Sequence, residues 1–258
     1  MPRRRRSRTR SRARSRSRTR KQSGGAQTQS PPPDLVIAHY KEPLDWLEKP
    51  PFKDTKFGTV YIYDKSPEVP STCKPTGANC KILQLPNLGV CEHTYLTHIF
   101  NNYDTLPERT VFLPGSADLP HKIKHAQAVV NAPGTLIPVA KLSRPVHEQL
   151  FDFVITRWVV SHGSNRNKNG SYDLIPADIR PFGAWYKAHF PGVSSPYQPY
   201  YAIFSATRAD IHKRPREFYK KLLDEVSKGP FHEANHYLER SWPAIFHPLP
   251  ESSLHIFA

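Results

Sequence analysis

Leu35-Val36-Ile37-Ala38-His39 is the stretch that decides the fold. Four apolar residues run without a break into a histidine, so neither alternating face is polar. An uninterrupted run of this length reads as a strand buried on both sides, as in a parallel sheet. Further along, Thr59-Val60-Tyr61-Ile62-Tyr63-Asp64 is a second strand, rich in β-branched and aromatic residues. Lys81 to Leu85, Thr110 to Leu113 and Tyr201 to Ser205 supply a third, a fourth and a late strand.

Helical signals separate them. Leu44, Trp46 and Leu47 form a brief helix that Pro50-Pro51 stops. Glu92 to Tyr103 places Tyr95, Leu96, Ile99 and Phe100 at helical intervals. Pro145 to Val160 reads as a helix with Pro145 in its first position, and Pro215 to Val226 as another with Phe218, Leu222 and Val226 on one side. Thr207 and Asp210 have the spacing of a helix-starting cap, and Phe231 to Phe246 is a last helical segment interrupted at Pro243. Residues 114–143 carry no decisive period beyond that strand's end, and 161–199 are loop-rich. Strands alternating with helices predict an α/β fold, with a single open, mostly parallel sheet flanked by helices. That domain is assigned to residues 34–258.

Ahead of it, residues 1–33 read as a disordered Arg/Ser-rich tail and a Pro-containing linker. Arg3, Arg4, Arg5, Arg6, Arg8, Arg10, Arg12, Arg14, Arg16, Arg18, Arg20 and Lys21 are interleaved with Ser, Thr and Ala and contain no acid. Like charges so close repel, and no apolar burial offsets the entropy of ordering them. The 258-residue chain has 37 Lys and Arg against 22 Asp and Glu, a net +15; without those twelve residues the balance is only +3. The charge therefore belongs to the tail, whose expected partner is nucleic acid or another polyanion, bound by counterion release with little sequence preference. Import into the nucleus, packaging in a virion, contact with an anionic membrane and binding to an acidic protein are competing uses of the same charge. No apolar run is long enough for a membrane span, and the N-terminus has neither a secretory core nor an amphipathic transit helix. Cys73, Cys80 and Cys91 are odd in number and irregular in spacing, which predicts unpaired thiols in a reducing, intracellular compartment.

The order of the segments carries a resemblance. It lies in Leu35 through Leu47; in Leu85-Pro86-Asn87-Leu88-Gly89 with Glu92 to Leu96; in Asn102 to Pro107 running into Val111 to Gly115 and His121; and in Ala202 to Ser205, Arg214 to Tyr219 and His236 to Trp242. Together these resemble a family catalogued as a domain of unknown function, which in turn looks like nucleotide-sugar glycosyltransferases with a single Rossmann-like domain. The resemblance implies a glycosyltransferase A-like fold, a nucleotide-sugar ligand and sugar transfer, with a divalent cation (Mn or Mg) as the implied cofactor. Two departures stand out. The turn Asn87-Leu88-Gly89-Val90-Cys91-Glu92 is one residue longer than the related pattern and lacks its Arg. The strand Val111-Phe112-Leu113 runs into Pro114-Gly115-Ser116-Ala117-Asp118 rather than an Asp-x-Asp pair, which the hard cation would need for oxygen ligands.

Candidate site residues follow from position and from that resemblance. Open α/β sheets bind ligands beyond the carboxyl ends of their strands. This points to His39, Tyr40 and Glu42 after the first strand and Asp64 at the end of the second, each with the plainer role of a turn residue. Asn87 is a further substrate-binding candidate with the plainer role of a turn former, and Glu92 either caps its helix or meets a sugar hydroxyl. Asp118 and His121 are candidates for base and leaving-group stabiliser, Glu239 for catalytic acid or base, and Arg240 for a phosphate clamp or a buried ion pair. His232-Glu233-Ala234-Asn235-His236 also satisfies the H-E-x-x-H formula of zinc hydrolases, a minor reading because the helix is short and no third ligand follows at a known spacing. The main alternative to an enzyme is a structural protein associated with nucleic acid on a degenerate enzyme fold.

Overall fold

The computed structural model describes residues 31–67, 79–158 and 174–257. The arginine-rich stretch and Cys73 lie outside them.

β1, Asp34–His39, is central to the main sheet. Leu35 and Ile37 point to one side, Val36 and Ala38 to the other, and all four are buried. That two-sided burial is why the run has no polar alternation, and Leu35, Val36 and Ile37 each contribute about 1.5–3 kcal/mol. β2 (Thr59–Asp64) lies parallel to β1, and β3 (Asn79–Gln84) lies parallel to β2. After α1 (Val90–Asn102) the chain returns to the opposite side of β1 as β4, Arg109–Pro114, again parallel. β7, Phe204–Thr207, closes that edge antiparallel, giving the order β3-β2-β1-β4-β7.

The predicted helices and strands recur with shifted ends. The capping signal at Thr207 is realised, since its hydroxyl accepts from the Asp210 N–H at the start of α5 (Arg208–Ile211). α6 (Arg216–Val226) buries Tyr219, Leu222 and Val226 against α1. α2, Ile123–Asn131, occupies the segment that had no clear period, followed by β5, Ile137–Lys141.

Five expectations are corrected. The sheet is not the only one: β5 pairs with β6 (Tyr197–Pro199) and β8 (Leu254–Ile256) in a second, three-stranded sheet. Of the helix expected over Pro145 to Val160, the last two residues lie outside the described ones, and the rest forms only α3, Val146–Gln149. Beyond it the backbone is engaged elsewhere: Phe151 O and Phe153 O accept from Gly183 N and Phe182 N at the start of α4 (Phe182–His189), and Ile155 N donates to Glu233. α4 itself falls in the segment read as loop. The last helical segment divides into α7, Ala234–Glu239, and α8, Trp242–Ile245, with Pro243 in the first turn of α8 rather than breaking a longer helix. Finally, Cys80 is disulfide-bonded, whereas Cys91 is free. Among the described residues no helix is long and apolar enough to cross a membrane.

Candidate functional site

Because β1, β2, β3 and β4 are parallel, their carboxyl ends share one edge. The chain goes from β1 to β2 on one side and returns to β4 on the other, so the strand order reverses between β1 and β4. A crevice opens at such a point because the two connections diverge. Here it is a cavity of about 390 Å³. Its floor is Ala38, His39, Tyr40 and Glu42 after β1, Lys65 after β2, and Pro114 and Ser116 after β4. The first turn of α1 (Val90, Cys91, Glu92) forms one wall. The facing wall is Asn235, His236 and Glu239 of α7 with Tyr201 and Ala202.

Several predicted residues meet there. His39 is locked, with Nδ1 2.8 Å from Asp64 Oδ1 and Nε2 2.9 Å from the Glu42 carbonyl oxygen. Glu42 accepts the Tyr40 and Lys41 N–H groups on Oε2 and packs on Gly115, where a Cβ would come within 2.8 Å of that oxygen. Asn87 and His121 are exposed at the rim, His121 edge-on to Tyr201 with ring centres 5.1 Å apart. Glu92 is buried in the wall with Oε1 unbonded; burial and the nearby Glu239 charge push its carboxyl well above the usual range. Burial would raise Glu239 too, but His236, Arg240 and the Tyr201 N–H outweigh it and hold that carboxyl below the usual range. The two carboxyls that line the cavity are thus pushed in opposite directions, the kind of separation that acid–base chemistry uses.

Other predicted residues are elsewhere. Asp118 is exposed and off the cavity, because the chain turns outward after Ala117 buries into the core. Asp64 is fully buried behind His39 and bonded to Ser66, so it orients the histidine instead of meeting a ligand. Arg240 does not line the cavity; its guanidinium lies over the Phe153 ring and reaches Glu239 Oε2 at 3.4 Å. Arg240 is the residue that follows α7, directly after Glu239.

The zinc formula is not assembled. Glu233 is fully buried, and its oxygens accept from Ile155 N, Ala177 N, Tyr237 OH and a two-pronged Arg180. His232 lies before α7 and does not line the cavity that His236 lines. Among the described residues no three His, Cys, Asp or Glu side chains are grouped for a metal ion.

The sequence reading missed the two lysines in the cavity. Lys65 is 6 % exposed and donates to the carbonyls of Leu88 and Val90, clamping the turn where Gly89 and Val90 both have positive φ. Burial pulls its ammonium down to about 7, against the pull of Cys91 and Glu92. Lys122 is 4 % exposed, and its ammonium is 2.8 Å from Ser116 Oγ; burial lowers it as well. Tyr201 and Ala202 were also missed as wall residues, with φ of 72° and 52°. Such backbone costs of order 1–3 kcal/mol per residue and is typically held by surrounding contacts at functional sites. Here the Tyr201 N–H donates to Glu239 and the Ala202 carbonyl accepts from Tyr95.

A family model described as a protein of unknown function, DUF3431, matches residues 35–253. The chain belongs to this family. The DUF3431 domain begins at the first buried residue of β1 and ends just before β8, so every wall of the cleft falls inside it and the arginine-rich stretch falls outside. Comparison with curated proteins finds no match.

Proposed function

We propose that this DUF3431 domain is a glycosyltransferase-type enzyme that binds a nucleotide sugar in the cleft. One observation carries the reading: a cavity at the reversal point of a mostly parallel sheet is lined by Glu92, Glu239, Lys65 and Lys122, with the Glu92 carboxyl pushed up and that of Glu239 held down. In this scheme Glu239, held by the Tyr201 N–H and flanked by Arg240 and His236, takes the proton of an acceptor hydroxyl. The hydroxyl oxygen bonds to the anomeric carbon as the bond from that carbon to the phosphate oxygen breaks. The bonding electrons leave with the nucleoside diphosphate. Glu92 and Asn235 offer hydrogen bonds to sugar hydroxyls, and His121 stands at the mouth where an acceptor enters.

A thermal-shift and product-release screen of the full chain against nucleotide sugars, with and without manganese, tests this. A stabilising shift with one donor, slow release of nucleotide, and loss of release in Glu239→Gln with the shift retained are the expected results. Asp118 standing off the cavity favours a second reading, a non-enzymatic structural protein that holds nucleic acid through its arginine-rich stretch. Absence of any donor shift from a cooperatively melting protein would favour that reading over the enzyme.

A further inference from the structure

A buried polar atom without a hydrogen-bond partner carries the full cost of its desolvation, so a folded protein keeps few of them. Among the described residues, the side chains that have such an atom and also line the cleft are Glu92 and Asn235. Others, such as those of Thr94, His98 and Tyr186, lie away from it. Glu92 is 3 % exposed and Asn235 1 %. In each the unpaired atom is an oxygen, Oε1 of Glu92 and Oδ1 of Asn235. The Asn235 amide nitrogen donates to the His232 carbonyl at 2.8 Å, which leaves the oxygen as the unpaired end of the group. An amide oxygen can only accept.

Local structure brings the two together. Asn235 is in the first turn of α7, which packs on α1. Its Oδ1 would lie 3.1 Å from a Cβ at Gly89, the residue before α1, and Glu92 follows three positions later on the same side of that helix. The seam between α1 and α7 therefore carries two unpaired acceptors about one helical turn, roughly 5 Å, apart. Glu239 stands one turn further along α7, with its oxygens toward the Tyr201 N–H, His236 and Arg240. Two acceptors that no protein group satisfies call for two donors on a ligand, and a sugar ring presents hydroxyls on adjacent carbons. We infer that Glu92 and Asn235 select the sugar of the donor, each accepting a different ring hydroxyl, so that a sugar lacking either hydroxyl is rejected. Rejection is strong because a missing hydroxyl returns a buried acceptor to its unpaired state. The inference rests on the nucleotide-sugar reading and names the part of the cleft that sets its specificity.

Calorimetric titration of the full chain tests it, with and without manganese, in salt of about 0.3 M to screen the arginine-rich stretch. The probes are the uridine diphosphate esters of glucose and galactose, the guanosine diphosphate ester of mannose, and the monodeoxy analogues of whichever binds. In wild type, removal of one ring hydroxyl should weaken binding about 30-fold, the loss of one hydrogen bond to a buried acceptor. In Glu92→Met the same removal should cost about 3-fold or less, because the partner is already gone. A different hydroxyl should show the same pattern against Asn235→Leu, which reads its contact independently of Glu92. Glu92→Gln, which keeps an oxygen acceptor, should stay within about 3-fold of wild type. Without ligand, Glu92→Met should melt no lower than wild type, since it removes an unpaired oxygen and keeps the apolar stem. Hydroxyl removals that cost the same in wild type and in both variants would overturn the inference and leave sugar transfer standing. A Glu92→Met protein that melts well below wild type would overturn it too, because the carboxyl would then be a structural anchor. Failure of every nucleotide sugar to bind would remove both this inference and the function beneath it.

Discussion

Lys65→Met isolates the cost of keeping an ammonium in the cleft. The lysine falls from its ordinary 10.5 to about 7 in the folded protein, burial being the main cause. Between those values the unfolded chain binds more protons than the native one, so unfolding free energy rises with pH across that window. With native and unfolded values of about 7 and 10.5, Lys65 alone raises stability by about 2–3 kcal/mol from pH 7 to pH 9. Below pH 7 both states carry the proton and the contribution is flat. Methionine keeps the length and apolar stem and has nothing to titrate. It also gives up the hydrogen bonds to the Leu88 and Val90 carbonyls, a loss that is the same at every pH in the window. The assay is urea unfolding of wild type and Lys65→Met at steps from pH 6 to pH 9.5. At an m-value of about 2 kcal/mol/M, the wild-type midpoint should climb by roughly 1 M relative to the variant between pH 7 and pH 9. Cys91, whose thiol burial pushes up, and Lys122, whose ammonium burial pulls down, titrate in both proteins, so the difference between the two curves reports Lys65. Parallel curves would refute the reasoning and mean that the Lys65 ammonium is not desolvated.

Three further outcomes are expected. Glu233→Ala leaves the Ile155 and Ala177 amides and the Tyr237 hydroxyl without their acceptor and should cost about 3 kcal/mol in denaturant unfolding, with no response to added zinc or to chelator. Gly89→Ala puts a side chain at φ 48°, with its Cβ 2.4 Å from the Val226 carbonyl oxygen, and should lower the melting temperature and cost at least about 2 kcal/mol. Binding of heparin or duplex DNA should fall steeply with salt, with a log–log slope of about −5 if half of the twelve charges from Arg3 to Lys21 engage, and deleting residues 1–30 should abolish it; a salt-independent affinity would contradict this.

Much of the framework was legible because it follows from local periodicity. Leu35 to His39 reads as a two-sided buried strand, Thr59 to Asp64 has its observed bounds, and α6 starts one residue after Pro215. The failures arose where the backbone bonds to distant partners. Residues 150–155 have a helix-like apolar spacing, but the Phe151 and Phe153 carbonyls serve α4 and the Ile155 amide serves Glu233, which no local pattern reveals. The same distinction divides the site. His39, Tyr40, Glu42 and Glu92 were legible because parallel strands and helix starts place them by rule. Asp118 stands off the cavity, on a path after β4 that turns with the packing of Ala117, and the bond between Asp64 and His39 was hidden because the two are 25 residues apart.

By itself, the sequence determined an α/β domain with a buried parallel strand near its start, preceded by a run of positive charge. These depend on hydrophobic period, chain entropy and Coulomb repulsion, all properties of neighbouring residues. The tertiary structure alone decided that Lys65 and Lys122 are buried in one cleft, that the Glu92 and Glu239 carboxyls lining it are shifted in opposite directions, and that Glu233 is a structural anchor. A lysine or glutamate in a sequence carries no mark of its environment. Its solvation and its charge partners are fixed only when segments far apart in the chain fold against it.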